Sequence, residues 1–372
     1  MIDGVRGTRA IEGEEAKKYL NIVNTFHNVA KKYDFEYIKI PTLEKEELFT
    51  RSVGEHSDIV TKQMYSFPDK KGRNLVLRPE GTAGVVRHHI EKKYTTMKKY
   101  YYSDQMFRYE RPQKGRYREF HQVGAETLGH KSDSVNEIFT IIQLSNDFLE
   151  SCIPVDSNFT FEINSIGNSE DRIKYNQVLV KYLEDHKDNL SEESLKRLES
   201  NLDIDPFVVS ADHKIYLKMK KDNPNKMIAG RSYKEILSRY ENKLQNPRST
   251  KTGKFSAKII KEFLKIKTSL KDAPHKLNIF FKKYNLNILV GKDFFPVTDF
   301  NNKNLKFEFS ASNGRGKEVE YYDSFNFSID VKFKNKTKTY IAGGRYNNMA
   351  QKNLGLKKIP AVGAAINLGV YE

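Results

Sequence analysis

The chain has 372 residues, enough for two or three domains, and carries 64 lysines and arginines against 48 aspartates and glutamates, for a net charge of +16. Its single cysteine, Cys152, excludes a disulfide framework and a cysteine-based zinc site and fits a reducing compartment, so we expect a cytoplasmic protein. No apolar run approaches the roughly 18 residues of a membrane span, and residues 1–10 lack the apolar core of a signal peptide.

The first part of the chain alternates helical and extended patterns. Apolar residues at three- and four-residue spacing predict helices, and β-prone runs bounded by proline or glycine predict strands. A turn at 68–73 predicts a hairpin. In chain order, the expected elements are a helix over 12–33, a strand over 35–40, a short helix over 44–49, hairpin strands over 64–67 and 74–78, a helix over 82–92, strands over 99–108 and 119–128 around a charged loop, a helix over 135–149 and a strand over 159–163.

The later part of the chain differs from the first in its pattern of apolar and polar residues. Residues 165–290 predict a mainly helical insert, with helices over 169–184, 192–202 and 258–270 and a strand over 286–290. Strand patterns then return over 306–310, 318–325, 328–333 and 338–342, and the small apolar run over 361–369 predicts a buried strand or the start of a helix. Because hairpins are frequent and no βαβ alternation is present, we expect an α+β fold with a mixed, mainly antiparallel sheet. The expected domains are 1–164, the insert 165–290, and 291–372.

The loop from Arg108 to Arg118 carries five cations and one acid. Such a loop would repel itself unless it met a polyanion, and arginine binds phosphate oxygens in a bidentate manner. A triphosphate or a nucleic-acid backbone therefore fits, and Phe120 could stack on a base. An exposed basic hairpin tip is the alternative. The net charge is equally ambiguous, because it suits tRNA or another nucleic acid and also a lysine-rich surface that is simply solvated.

Polar residues on either side of this loop could form a small-molecule pocket. The segment Arg78–Thr82 ends a strand and begins a helix, so Thr82 suits the N-cap and Glu80 could bind a ligand ammonium. Gln122 and Glu126 share one face of a strand, and Gly124 between them leaves room for a ligand. This set suits an amino acid with a polar side chain. The alternative is that these are surface strand residues.

Together these segments resemble a known family in order and spacing. The chain is similar to the catalytic core of histidyl-tRNA synthetases, which are class II aminoacyl-tRNA synthetases. The resemblance is specific over the first 165 residues, loose over 305–372 and poor over the insert. The matching segments are the opening Val5-Arg6-Gly7-Thr8, motif 1 at Tyr37–Gly54, the histidine-binding segment Arg78–Thr82, motif 2 at Phe107–Gln122, Glu126, and the approach to motif 3 at Ala342–Tyr346 and Pro360–Gly363.

The resemblance implies a role for each matching residue. Arg108 would hold the ATP α-phosphate and the histidine carboxylate, Arg116 the outer phosphates, and Phe120 the adenine. The implied histidine-binding residues are Glu80, Gly81, Thr82, Gln122, Glu126, Tyr321 and Tyr322. Magnesium would accompany ATP, with no protein side chain assigned as a metal ligand. Histidine would be activated as histidyl-adenylate and transferred to tRNA, in a homodimer formed through motif 1.

Three departures leave two functions open. Lys317 stands where the family has a catalytic arginine, and it keeps the charge but loses the guanidinium fork. Asn367–Val370 replaces the motif 3 segment with its ATP-binding arginine, and the chain ends at Glu372, where the family continues into an anticodon-binding domain. The chain is therefore expected to be a ligase core, impaired or helped by a separate anticodon-binding protein. The alternative is a non-catalytic, histidine-sensing regulatory subunit of a short ATP phosphoribosyltransferase.

Overall fold

The structure is a computed structural model in which the chain forms two compact units. It describes residues 2–54, 57, 59–113, 115–131, 135–153, 158–165, 227–228, 231–232, 262–263, 265–284, 289–290, 305–311, 321–322, 325–333, 336–354 and 358–371. The first unit comprises 1–163, 296–308 and 318–372, and the second comprises 164–295 and 309–317. The domain limits expected at 164 and 290 remain predictions.

The described helices follow the apolar periodicity of the sequence. They are α1 (Gly13–Lys32), α2 (Glu46–Val53), a π-helical turn (Ile59–Gln63), α3 (Thr82–Glu91), α4 (Val135–Cys152), α5 (Ala273–Lys283), α6 (Met349–Leu354) and a 3-10 turn (Leu368–Tyr371). In α1, two glutamates in the first turn and two lysines in the last turn interact favourably with the helix dipole. Phe26, Val29 and Ala30 form its buried face. None of the helices in the described ranges has the length and apolar character that crossing a lipid bilayer requires.

A large sheet forms the centre of the first unit. The described strands of the chain are β1 (Glu36–Tyr37), β2 (Leu43–Lys45), β3 (Tyr65–Pro68), β4 (Asn74–Leu77), β5 (Lys98–Phe107), β6 (Glu119–Leu128), β7 (Asn158–Ser165), β8 (Met227–Ile228), β9 (Arg231–Ser232), β10 (Lys267–Ser269), β11 (Leu305–Ser310), β12 (Phe325–Phe333), β13 (Lys336–Arg345) and β14 (Ala361–Asn367). In the first unit the order is β1-β5-β6-β14-β13-β12-β7-β11, and a separate sheet has the order β2-β4-β3. The β1–β5 pair is parallel, whereas the successive pairs from β5 to β12 are antiparallel. The expected fold class, an α+β fold with a mainly antiparallel sheet, is confirmed.

Strand β6 lies between β5 and β14, and its register determines which residues meet. Glu126 is opposite Tyr100 on β5 and Gly363 on β14. Residues 120, 122, 124 and 126 share one face of β6, and residues 119, 121, 123, 125 and 127 share the other. A buried cluster that includes Tyr102, Met106 and Phe120 covers the first face.

The second unit is described only in short segments. Helix α5 buries Phe280 and Phe281, whose rings pack with that of Phe263 at centroid distances of 5.4 and 6.4 Å. At the end of α5, Lys283 lies 2.7 Å from the Glu262 carboxylate. Strands β8 and β9 form a two-residue antiparallel pair.

Several expected elements differ from those observed. The helix expected to reach Leu270 is wrong at its end, because 267–269 form β10 instead. The helix expected from Glu44 begins at Glu46, because 43–45 pair with β4 as a strand. Residues 321–322 form no strand, and neither do 289–290. The helices expected over 169–184 and 192–202 lie outside the described residues.

Candidate active site

The carboxylate of Glu80 caps the start of α3. Glu80 is 3% exposed, and its two oxygens accept hydrogen bonds from the backbone N–H groups of Thr82 and Ala83, both at 2.8 Å. The expected N-cap role of Thr82 is therefore wrong, because Gly81 is the N-cap residue and Glu80 supplies the capping oxygens. Burial raises the pKa of Glu80, while the backbone hydrogen bonds act in the opposite direction.

The second buried carboxylate, Glu126, lies next to the first. Thr82 Oγ1 donates to Glu126 Oε1 at 2.7 Å, and the hydroxyl of Tyr346 donates to Oε2. Burial raises the pKa of Glu126 to about 8, because the two hydrogen bonds only partly offset desolvation and Glu80 adds a like charge. The α3 N-terminus and β6 thus bring two carboxylates into one apolar region.

A tyrosine ring occupies the space that the sequence suggested for a ligand. Tyr102 is fully buried, and its hydroxyl donates to Gln122 Oε1 at 3.1 Å. A Cβ on Gly81 or on Gly124 would come within 2.5 or 2.6 Å of this ring, so both positions require glycine. The expectation that Gly124 leaves room for a ligand is corrected, because the room belongs to Tyr102.

Three tyrosines from the last part of the chain border the same region. The rings of Tyr321 and Tyr322 pack edge to face at 4.8 Å, and that of Tyr321 lies 5.6 Å from Tyr346. Burial raises the pKa of Tyr321 and of Tyr346 well above the ordinary value, and Glu126 contributes in both cases. Both hydroxyls therefore stay protonated and able to donate.

Arg108 connects the two carboxylates to the cationic loop. Its Nε donates to the carbonyl of Pro79 at 2.8 Å, and its guanidinium lies 5.3 Å from the centroid of the Phe120 ring. Glu110 lies near two arginines, 3.0 Å from Arg116 Nε and 4.0 Å from Arg108 Nη1. Glu110 thus lies beside two of the five cations of the loop, and the expectation that the loop meets an external polyanion stays a prediction.

The loop is fixed by neighbouring segments. Arg118 donates its backbone N–H to the carbonyl of Gly7 at 2.7 Å and lies over the Tyr109 ring at 3.9 Å. Gly7 has a φ of +89°, and a Cβ there would lie 2.8 Å from side-chain atoms of Arg118 and Pro112. The opening segment of the chain therefore packs against the loop.

A buried ion pair fixes the strand end before Glu80. Arg78 is 3% exposed and pairs with Asp104 at 3.2 Å, and its Nε donates to the carbonyl of Gln105 at 2.7 Å. Its Nη1 also donates to the carbonyl of Ile40. Two of these contacts hold the 78–80 segment against β5, and the third holds it against Ile40.

The structure brings most of the expected site residues together, although their functional roles remain predictions. Glu80, Gly81, Thr82, Gln122 and Glu126 surround Tyr102. Arg116 is exposed, whereas Phe120 is 7% exposed and packs in the core, so its stacking on adenine stays a prediction. Lys317 lies outside the described residues. Within the described ranges, no group of three or more His, Cys, Asp or Glu side chains could hold a metal ion.

Three site residues escaped the sequence analysis. Tyr102 lies in a run of three tyrosines, and only the strand register shows which ring enters the site. Tyr346 and Gly363 stood in segments quoted for their resemblance, but nothing in their spacing pointed to Glu126. A pairing of the 361–369 strand with the 119–128 strand would have indicated Gly363, which is opposite Glu126.

The chain is similar in sequence to known histidyl-tRNA synthetases. A family model described as histidyl-tRNA synthetase matches residues 7–205. A histidine–tRNA ligase of Buchnera aphidicola subsp. Schizaphis graminum is 35% identical over 99% of this chain and 71% of that protein. One from Campylobacter hominis is 46% identical over 54% of this chain and 48% of that protein. The match thus spans about half the length of several curated relatives.

Two solved structures share the fold along the whole chain. The apo histidyl-tRNA synthetase of S. aureus has a TM-score of 0.60 at 22% identity and is covered over 73% of its length. A Bacillus halodurans protein, described as an ATP phosphoribosyltransferase regulatory subunit/histidyl-tRNA synthetase, has a TM-score of 0.54 at 18% identity and is covered over 82%. The class II synthetase fold expected from the resemblance is confirmed.

Proposed function

Because the chain belongs to the histidyl-tRNA synthetase family, we propose that it activates histidine with ATP and transfers the histidyl group to tRNA. The observation that carries this proposal is the junction of two buried carboxylates with an arginine. Arg108 donates to the carbonyl of Pro79, the residue directly before Glu80, and Thr82 bridges Glu80 to Glu126. A zwitterion with a cationic side chain and a nucleotide phosphate can therefore be held side by side.

Histidine suits the two carboxylates. Each oxygen of Glu80 and of Glu126 already accepts one hydrogen bond and has a second lone pair for a ligand. The α-ammonium group would be bound by Glu80 with Thr82 and Gln122, and the imidazole by Glu126 with Tyr321 and Tyr322. A buried carboxylate is costly when unpaired, so a ligand carrying N–H donors gains the interaction that the free protein lacks.

ATP suits the arginine side of the site. Arg108 and Arg116 would bind the phosphates, which requires them to exchange Glu110 for phosphate oxygens. Phe120 would contact the adenine. Magnesium would enter with the triphosphate, as part of the substrate.

The chemistry then consists mainly of positioning and charge neutralisation. A carboxylate oxygen of histidine attacks the α-phosphorus, the bond from that phosphorus to the bridging oxygen breaks, and pyrophosphate leaves. Arg108 would neutralise the charge that develops there, and Lys317 would assist it. In the second step a ribose hydroxyl at the tRNA 3′ end attacks the histidyl carbonyl, loses its proton, and AMP leaves. We propose the cytoplasm as the location of these steps, because a single cysteine, Cys152, fits a reducing compartment.

A second copy of the chain is the proposed partner. On the β2-β4-β3 sheet, Leu43 and Phe67 are 50% and 40% exposed on a face shared with Leu75 and Leu77. An apolar sheet face of this kind favours association, and β2 lies inside the motif 1 segment. Light scattering should give the mass of a dimer, and Leu43→Glu should give a monomer. A monomeric parent chain would contradict this proposal.

A regulatory function is the second candidate. Asn367–Val370 offers no arginine for ATP, and the Bacillus halodurans structure carries the name of a phosphoribosyltransferase regulatory subunit beside that of a synthetase. In that case histidine binding would alter a partner transferase, with a coupling of about 1–3 kcal/mol. The cationic loop favours the ligase, since a histidine sensor does not need groups that bind ATP.

Histidine-dependent exchange of pyrophosphate into ATP separates the two candidates. The ligase function predicts exchange by the parent chain and its loss in Arg108→Ala. Arg73→Ala is the matched control, because this exposed arginine pairs with Asp69 in a hairpin and should leave exchange unchanged. A parent chain that binds histidine but shows only the blank rate would contradict the ligase function and favour the regulatory one.

A further inference from the structure

Glu126 is held in a slot formed by residues that lie far from it in the chain. Gly363 is directly opposite Glu126 in the β6–β14 register. A Cβ built on Gly363 would overlap the carboxylate and lie 2.5 Å from Cδ of Glu126. No larger residue fits here unless the carboxylate turns away. The Cβ built on Gly363 would also lie 2.8 Å from the carbonyl oxygen of Ala125.

The hydroxyl of Tyr346 completes the slot. It donates to Oε2 of Glu126, while Thr82 donates to Oε1, so one hydroxyl on each oxygen fixes the rotation of the carboxylate plane. Tyr346 is itself anchored to the start of β14, because its backbone N–H donates to the carbonyl of Ala361 at 2.9 Å. The same short segment therefore holds both the glycine and the tyrosine in place.

We propose that Tyr346 and Gly363 are positioning residues that fix the orientation of the Glu126 carboxylate and thereby set the affinity of the chain for histidine. The inference rests on the proposed function, because it takes histidine as the ligand of Glu126. It predicts that the two residues act on histidine binding through Glu126 and not by touching ATP.

The ionisable groups around Glu126 determine how Tyr346 affects the pKa of its carboxyl group. Glu80 before α3, Tyr102 on β5, Tyr321 and Tyr346 face the carboxylate. Of these, Tyr346 donates to the ionised form and lowers the pKa of Glu126 against the effect of burial. Loss of its hydroxyl therefore raises that pKa further, so ionisation of Glu126, and histidine binding with it, should shift to higher pH.

The first experiment removes this hydroxyl and keeps the ring. In Tyr346→Phe, calorimetry at neutral pH should show histidine binding about tenfold weaker, with the deficit shrinking as the pH is raised. Tyr33→Phe is the matched control, since it removes a hydroxyl that donates to Asp147 at 2.9 Å between α1 and α4. That control should bind histidine like the parent chain.

The second experiment tests whether the effect passes through Glu126. In a Glu126→Gln background, Tyr346→Phe should add no further loss and no shift with pH. Gly363→Ala should weaken histidine binding as Tyr346→Phe does. Gly84→Ala is its control, because a Cβ there would meet Ile40 only at 3.5 Å.

The outcomes are distinguishable. Parent-like affinity and pH profile in Tyr346→Phe would overturn the inference and leave the proposed function standing, as would an equal loss in the Glu126→Gln background. If the parent chain itself binds no histidine, the proposed function fails and the inference fails with it. Should Gly363→Ala not fold, Tyr346→Phe alone still decides the question.

Discussion

The two faces of β6 hold a partly buried histidine and a fully buried carboxylate in opposite ways. On the face toward α1, His121 contacts the Tyr19 hydroxyl at 2.6 Å through Nδ1 and the Ser103 hydroxyl at 2.7 Å through Nε2. Burial lowers its pKa to about 4, so the ring is neutral. On the face toward α3, burial raises the pKa of Glu126 to about 8, beside a second carboxylate.

We expect this difference between a polar group that stabilises the fold and one that binds a ligand, which is the role we propose for Glu126. His121 has a partner for each ring nitrogen, so its hydrogen-bonding capacity is met within the protein. Glu126 is surrounded by hydroxyls and by Glu80, and no cation pairs with it among the described residues. A ligand with N–H donors would stabilise the ionised carboxylate of Glu126, which burial and Glu80 disfavour. The site face therefore gives up stability that the opposite face retains.

The largest expected effect is a loss of histidine affinity when Glu126, on the face of β6 toward α3, is replaced. Glu126→Ala should weaken histidine binding about 100-fold, because a charge-assisted hydrogen bond is lost and its slot is left empty. Glu119→Ala is the control, since Glu119 is exposed on the other face of the same strand. Calorimetry measures both. Equal losses in the two variants would end the distinction between the faces.

On the face of β6 toward α1, His121 should make the stability of the chain depend on pH. Between the folded-state pKa of about 4 and the ordinary value of 6.5, the unfolded chain binds a proton at His121 that the folded chain does not. Stability should fall as the pH falls through this window, by up to about 3 kcal/mol. His121→Gln keeps a donor and an acceptor but does not titrate, so urea unfolding at a series of pH values should show a flatter profile. An unchanged slope would contradict a partly buried histidine that stays neutral in the folded chain.

On the face of β6 toward α3, Glu126 should make stability depend on pH with the opposite sign. Between the ordinary value of 4.5 and about 8, folded Glu126 keeps a proton that the unfolded chain releases. This group therefore makes the chain less stable as the pH rises through that window. Glu126→Gln should remove this contribution and exceed the parent in stability on the alkaline side by more than about 1 kcal/mol. Parallel unfolding curves for the two proteins would refute it.

The smallest expected effect comes from one neutral hydrogen bond. Ser103→Ala removes the partner of His121 Nε2 and should cost about 1 kcal/mol of stability. Histidine affinity should stay at the parent value, because Ser103 lies on the face away from Glu126. Thermal unfolding and calorimetry report the two quantities. A loss of histidine affinity would show that the two faces are coupled.

Much of this contrast could be predicted from the sequence. The bounds expected for the strand over 119–128 match β6, and its alternation placed Gln122 and Glu126 on a common face. The helix from Thr82 and the hairpin before it were also confirmed, because turn residues and apolar periodicity mark them locally. Local signals of this kind need no knowledge of the tertiary fold.

The errors concern contacts between distant segments. The role assigned to Gly124 was wrong because the ring that fills the space, Tyr102, belongs to β5, and only the pairing of β5 with β6 brings them together. The capping of α3 by Glu80 was missed because a carboxylate before the N-cap can turn back onto the helix only in this backbone geometry. Tyr346 meets Glu126 across 220 residues of chain, and local patterns carry no trace of such a contact.

The central claim, that the face of β6 carrying Glu126 binds histidine, is tested most directly by calorimetric titration of the purified chain with L-histidine. The account predicts saturable binding at one site per chain, with a dissociation constant of about 1 mM or tighter, and no binding of L-leucine, which lacks ring N–H donors for Glu126. Absence of histidine binding at concentrations well above this range would contradict the account, for the ligase and the regulatory subunit alike.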